Sequence, residues 1–380
     1  MADTTVKYIT SLPAPSISPV LSGTAGALVA LLNAVLVDGY GLQTVDSVAI
    51  SGGIATVTRA AGHPFEVDAV ALISGATVGS GTINGEQKVL SVTATAYTFA
   101  TAATGSVTGT VQHKVAPLGW TRPFTGSSTV QVYRSPDTAG TQCYLRVDDT
   151  GTTTARVVGY ETMSDVNTGA GPFPTSTQVS GGAFWQKSST ADSTARTWAV
   201  VGDQRGFGLH VATSSAVASR NTVWFGDVAS KKSPDPWACL ITGDTGAYSG
   251  ATSTADITYS ESSATKAWMP RDVTGLGSAV SPIRTAMSPT NLSTVYSGSG
   301  GLTYPNRSDN GVYVCQIAVV DTNAWRATVP GIYYCPMNIG TATYTLGNKL
   351  PTVTGLTGRT LRALPNSAGV GFADVTGPWR

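Results

Sequence analysis

The stretch Val48-Ala49-Ile50-Ser51-Gly52-Gly53-Ile54-Ala55-Thr56-Val57-Thr58 decides the fold class. Its apolar side chains repeat with period two, the spacing of a half-buried strand, and not with the helical period of 3.6. Gly52-Gly53 between the two halves supplies turn chemistry. The same period runs outward through Phe65–Ser74, Gln87–Thr93, Ala96–Thr101 and Ser106–Val115. Gly62-His63-Pro64, the glycine-rich 75–81 and Asn84-Gly85 separate these runs, and Asn84-Gly85 reads as a hairpin turn. Residues 40–116 are therefore expected to form a small β-sandwich or barrel module.

Residues 1–39 read as an extended arm followed by one helix. Pro13, Pro15 and Pro19 deny the arm helix and central-strand pairing, so it is expected to pack on a larger body, with neighbouring subunits as one candidate. Leu28, Leu31, Leu32, Val35 and Leu36 repeat at helical spacing within 22–39. Ser22 or Thr24 is the expected N-cap and Gly39 the stop. Residues 117–380 carry further strands, among them Thr129–Arg134, Gln142–Val147, Ala155–Tyr160, Thr197–Gly202, Gly206–Ala212, Thr222–Gly226 and Ala238–Thr242. Long Gly/Ser/Thr-rich loops separate them, notably Thr162–Gly182 and Thr242–Thr265. The fold class expected is mainly β: a small N-terminal β-module with one helix, then a large β-sandwich domain with long loops and an ordered C-terminal arm. No fixed-period repeat supports a solenoid or propeller.

Composition agrees. Of 380 residues only 12% are charged, about half the share of an average soluble domain, and just four are Glu and eight Lys. Helical surfaces spend those residues freely. The net charge of +1 argues against a nucleic-acid binder, which needs clustered Lys and Arg. Lys231-Lys232 is the one adjacent basic pair and reads as a polar loop. The longest apolar stretch, Gly26 to Val37, is too short for a membrane span, and Met1-Ala2-Asp3 with the following prolines does not read as a signal peptide.

The search for chemistry finds no constellation. His63, His113 and His210 are scattered, without HxH or HExxH spacing, so no metal site is expected. Cys143, Cys239, Cys315 and Cys335 lack CxxC spacing and read as small buried hydrophobes. The nucleophile-elbow pattern is missing, and Tyr296-Ser297-Gly298-Ser299-Gly300-Gly301 reads as a loop, not a phosphate cradle. Asp148-Asp149 point to opposite faces of a strand and read as its terminus and turn cap. Glu161 and Asp165 read as turn hydrogen-bonders, and Asp203, Asp227 and Asp235 as residues flanking turns. Trp185, Trp198, Trp224, Trp237, Trp268 and Trp325 read as core or interface, with a glycan-stacking platform as the rival. Catalytic, cofactor-binding and metal residues are all read as none, and no cofactor is expected.

Several stretches carry a resemblance. Ser51–Thr58, Gly62–Phe65, Val70–Gly75, Ile83–Gly85 and Tyr97–Phe99 resemble small β-modules of tailed-bacteriophage tail and fibre proteins. Pro19–Gly26, Leu118–Phe124, Tyr144–Asp149, Gly159–Asp165 and Trp198–Asp203 resemble a tail- or neck-associated virion structural protein of phages and prophages of Gram-negative bacteria. The likeness covers most of residues 15–240 and thins beyond. It implies a non-enzymatic, homo-oligomeric particle component of the tail or head-tail region, located in the virion and assembled in the bacterial cytoplasm. Its implied partners are copies of itself and other phage virion proteins, with neither nucleic acid nor membrane insertion. The rivals are a receptor- or glycan-binding fibre or tailspike-like module meeting host surface glycan, a capsid decoration protein, and a depolymerase.

Overall fold

A computed structural model describes residues 2–14, 16–215, 220–247, 255–258, 266–286, 302–322, 324–340, 343–350, 353, 356–366 and 369–380. The chain is mainly β, with three six-stranded sheets among the described residues and smaller sheets around them. The strands of residues 40–115 pair only with one another, in two four-stranded sheets and one two-stranded ribbon. Ser47–Ser51 and Ile54–Thr58 pair antiparallel with Ser51 opposite Ile54. Gly52 and Gly53, at φ 57° and 77°, take the two left-handed turn positions that side chains resist. Asn84-Gly85 does not form the expected hairpin. The Asn84 amide accepts from the Ala76 N–H and donates to its carbonyl at 3.0 and 2.8 Å, so a side chain takes the place of a strand partner.

Beyond residue 116, three sheets are stacked. The front sheet holds Thr121–Thr125, Val130–Arg134, Tyr144–Asp148, Thr154–Met163, Gly169–Phe173 and Ala183–Gln186. The central sheet runs Lys7–Thr10, Thr197–Gly202, Gly206–Ala212, Arg220–Asp227, Cys239–Thr242 and Ala267–Trp268. Trp198, Val200, Leu209 and Phe225 meet the front sheet through Leu145, Val157 and Trp185. Their sequence neighbours Ala199, Val201 and Trp224 face the back sheet, which holds Ile283–Ala286, Cys315–Asp321, Ala324–Tyr334, Val370–Asp374, Leu361–Pro365 and Ala229–Ser230, against Ile317, Val319, Ala327 and Ala373. Burial on both faces explains why these central strands read as continuous apolar runs. The expected sandwich is thus two sandwiches sharing one middle sheet. The expected Thr162–Gly182 loop contains the strand Gly169–Phe173. Much of the Thr242–Thr265 loop, and all of Tyr296–Gly301, lies outside the described residues.

The N-terminal arm corrects the expectation. Lys7–Thr10 pairs in register with Gly202–Ala199 and is buried throughout, as an edge strand of its own chain's central sheet. Pro13 and Pro19 follow this strand and so do not interrupt it. Lys88 in the module donates to the Val6 carbonyl at 3.2 Å and to Val375 at 2.7 Å, holding both ends of the chain. Glu66 accepts from Thr10, and Asp68 pairs with Arg362, so the module docks on the stack through polar groups.

The helix begins later than expected, with an α turn over Ala27–Leu32 that widens into a π turn over Asn33–Asp38 and stops at Gly39. Ser22 and Thr24 bond each other and do not cap it. Its N-terminal amides are met by Asp149: Leu28 and Val29 donate to the carboxylate at 2.7 and 3.2 Å. A residue 121 positions away thus does the work of an N-cap. Asp148 does cap its turn, accepting from the Thr150 hydroxyl at 2.8 Å.

The histidines are structural. His63 bonds the carbonyls of Thr93 and Ala96, and His113 lies between the Tyr97 hydroxyl and Gln43. Burial first, then His63 and Arg59, push His113 down to about 4, while burial and Arg220 push His210 down to about 3. As pH falls below the ordinary value near 6.5, the unfolded chain takes up protons that the fold refuses, so stability drops, by about 2 kcal/mol per histidine at pH 5. Asp256, raised to about 6 by burial, works the other way between about pH 6 and 4 and makes the limb shallower. His113→Gln is expected to flatten the fall in Tm between pH 6.5 and 4. An unchanged slope by differential scanning calorimetry would contradict this.

Candidate binding cleft

Two adjoining depressions of about 600 and 360 Å³ meet at Trp379 and Arg380. The larger is lined by Gly140, Thr141, Asp227, the 229–236 loop and Arg205. The smaller is lined by Thr4, Lys7, Glu86, Asp137, Asp203 and Gln204. The antiparallel turn 203–205 projects its side chains here because Asp203 fixes it, accepting from the Arg205 and Gly206 amides at 2.8 and 2.9 Å. Arg380 pairs with Asp203 and donates to the Asp227 carbonyl at 2.6 Å. Arg205 bonds Asp227 at 2.9 Å and lies 3.9 Å from Asp137. The Thr141 hydroxyl donates to Asp227 at 2.5 Å. A Cβ at Gly140 would lie 2.6 Å from the Asp227 carboxylate, so a larger residue there would have to displace that carboxylate.

The carboxylate lone pairs of Asp203 and Asp227 are thus spent on guanidinium, amide and hydroxyl donors. What the cleft offers is a fixed pattern of charged donors and acceptors, with Trp379 at its junction. Trp379 itself stacks on Trp224 at 6.0 Å and bonds the Asp374 carbonyl.

The other residues weighed from sequence lie elsewhere. Trp185, Trp198, Trp224 and Trp268 are buried in the cores, so they form no outward platform. Trp237 lies under Arg271, and Trp325, 43% exposed, lies under Lys231 at 4.5 Å. Asp165 holds its turn through the Asn167 and Thr168 amides. Glu161 departs from that reading: it stands on a strand and pairs with Arg271 through both oxygens, at 2.7 and 2.9 Å. Asp235 pairs with buried Arg326. His210 bonds the Thr222 hydroxyl, whose amide donates to Asp256, but all three are enclosed. Cys143, Cys239 and Cys335 are buried free thiols, while Cys315 is half-buried. Among the described residues no group of three or more His, Cys, Asp and Glu is placed to hold a metal ion. No helix among them is long and apolar enough to cross a membrane.

The convergence of Asp137, Asp203, Asp227, Arg205 and Arg380 escaped the sequence reading. Its members span most of the chain and share no spacing, and only Asp203 and Asp227, read as flanking turns, carried a local signal. No protein-family model and no curated protein sequence matches the chain.

Proposed function

We propose that the chain is a non-enzymatic structural subunit of a tailed-bacteriophage virion, acting as a homo-oligomer in the tail or head-tail region. The observation that carries this reading is the tying of residues 6–10 and 375–380 into one stack. Lys7–Thr10 is a strand of the central sheet, Lys88 holds Val6 and Val375, and Arg380 is fastened to Asp203. A subunit that bears load in a particle needs outlying segments that do not peel away. The resemblance of residues 15–240 to virion proteins supports the same reading.

More than half of the chain's charged side chains pair with an opposite charge of the same chain, several of them at the surface. The outer surface this leaves is nearly neutral and suits packing against neighbours. Because the N-terminal strand belongs to its own chain, contacts between subunits fall to loops. Leu12 and Val20, 47% and 53% exposed beside a small groove at Trp198, are candidates. Leu12→Asp with Val20→Asp is expected to change folding stability by under about 1 kcal/mol, as surface substitutions do, while reducing incorporation into particles. Mass spectrometry of density-banded particles tests the proposal: fixed multiple copies per particle are expected, and a chain absent from particles overturns it.

The cleft favours a second reading, a receptor module whose arginine, carboxylate and tryptophan groups meet a host glycan. Particles that assemble normally with Arg205→Ala but fail to adsorb would favour it.

A further inference from the structure

Lys187 and Asp149 form an ion pair in which neither side chain exposes any surface. Lys187 lies just past the strand Ala183–Gln186, and Asp149 just past Tyr144–Asp148. Each backbone is pinned: the Lys187 amide donates to Thr153 at 3.0 Å, and the Asp149 amide to Thr129 at 2.7 Å. The amine contacts Asp149 Oδ1 directly and also donates to the Thr24 carbonyl at 2.6 Å. The other carboxylate oxygen, Oδ2, receives the Leu28 and Val29 amides. A nucleophilic nitrogen therefore touches a carboxyl group whose second oxygen already sits between two fixed N–H donors.

We propose that Lys187 and Asp149 condense into an isopeptide bond, an amide between Nζ and Cγ formed with loss of one water. A proton first passes from the ammonium to Oδ1, leaving a neutral amine and a carboxylic acid. Burial favours that exchange, because it lowers the Lys187 pKa and raises that of Asp149. The Nζ lone pair then adds to Cγ. Negative charge gathers on Oδ2, where the Leu28 and Val29 N–H groups act as an oxyanion hole. A proton moves from nitrogen to the Oδ1 hydroxyl, the Cγ–Oδ1 bond breaks, and water departs as Oδ2 returns to a carbonyl. The step needs neither oxidant nor cofactor. Enclosure holds the partners in contact and so supplies the effective concentration that such a condensation requires. The product would bolt together two strand ends of the front sheet and hold the oxygen that caps the helix. It stands independently of the virion reading.

Intact mass spectrometry of the full-length chain, fresh and after incubation, tests this. The wild-type chain is expected to be lighter than its sequence by one water, and Asp149→Asn by one ammonia. Asp149→Ala and Lys187→Arg are expected at full mass. Cyclisation of Asp149 onto the Thr150 amide would also lose water, but it would survive Lys187→Arg. In the wild-type tryptic digest, residues 147–156 and 157–196 are expected as one joined species, uncut after Lys187. That map decides the matter even if a variant fails to fold. An unmodified wild-type mass, cleavage after Lys187, or water loss persisting in Lys187→Arg overturns the proposal.

Discussion

Lys187→Met is expected to lower the unfolding free energy by about 3–5 kcal/mol, the cost of stranding one charge of a buried pair. The variant leaves the Asp149 carboxylate wholly enclosed, with only the Leu28 and Val29 amides as partners. Asp149→Leu carries a similar penalty, because it strands the ammonium and uncaps the helix. If the pair were a simple salt bridge, the double variant Lys187→Met/Asp149→Leu would recover much of the loss, since an apolar replacement removes both desolvation costs. With the covalent bond, the double variant is likewise relieved of the stranded charge but recovers less, because the cross-link itself stays lost. Urea unfolding of the four proteins reads both effects, and single variants within about 1 kcal/mol of wild type would contradict the argument.

Arg326→Met carries a comparable or larger expected loss, about 5 kcal/mol. The Arg326 guanidinium exposes no surface and reaches Asp235 through Nε and Nη2, each at 3.1 Å. It lies 3.3 Å from Asp321 and donates to the Arg271 carbonyl at 2.6 Å. Burial alone would raise the Asp235 carboxyl, but Arg326 and Ser230 hold it below its usual range. Removing the arginine leaves two buried carboxylates facing each other's field, with no cation between them. Arg326→Lys should rescue poorly, because an ammonium cannot span both acids with a planar fork. A denaturation midpoint for Arg326→Lys close to wild type would contradict that geometry.

What was legible in the sequence was local. Thr197–Gly202 and Gly206–Ala212 carry their own turn and appear as strands with the boundaries read from the sequence. Gly52-Gly53 likewise announces its hairpin. Lys7–Thr10 was hidden because four residues before a proline-rich stretch have no pattern of their own, and they become a strand only through Ala199–Gly202. The helix cap was hidden for a related reason: Asp149 looks like a turn residue, and nothing nearby in sequence reveals that it reaches Leu28. Shared burial of the central sheet was partly visible in its unbroken apolar strands, but the sequence carried no signal of which sheets would cover it. The low charge changes meaning in the same way. It first reads as a surface left neutral, and the ion pairs show that many of the charges present are spent within the fold.

The central claim is that this stack is a repeated structural subunit of a particle. A cryo-electron microscopy map of the intact virion at secondary-structure resolution tests it most directly. The account predicts a symmetric set of copies in the tail or head-tail region, each with its three stacked sheets, touching neighbours through loops while Lys7–Thr10 stays in its own central sheet. A map whose every ring and fibre is filled by other chains would contradict it.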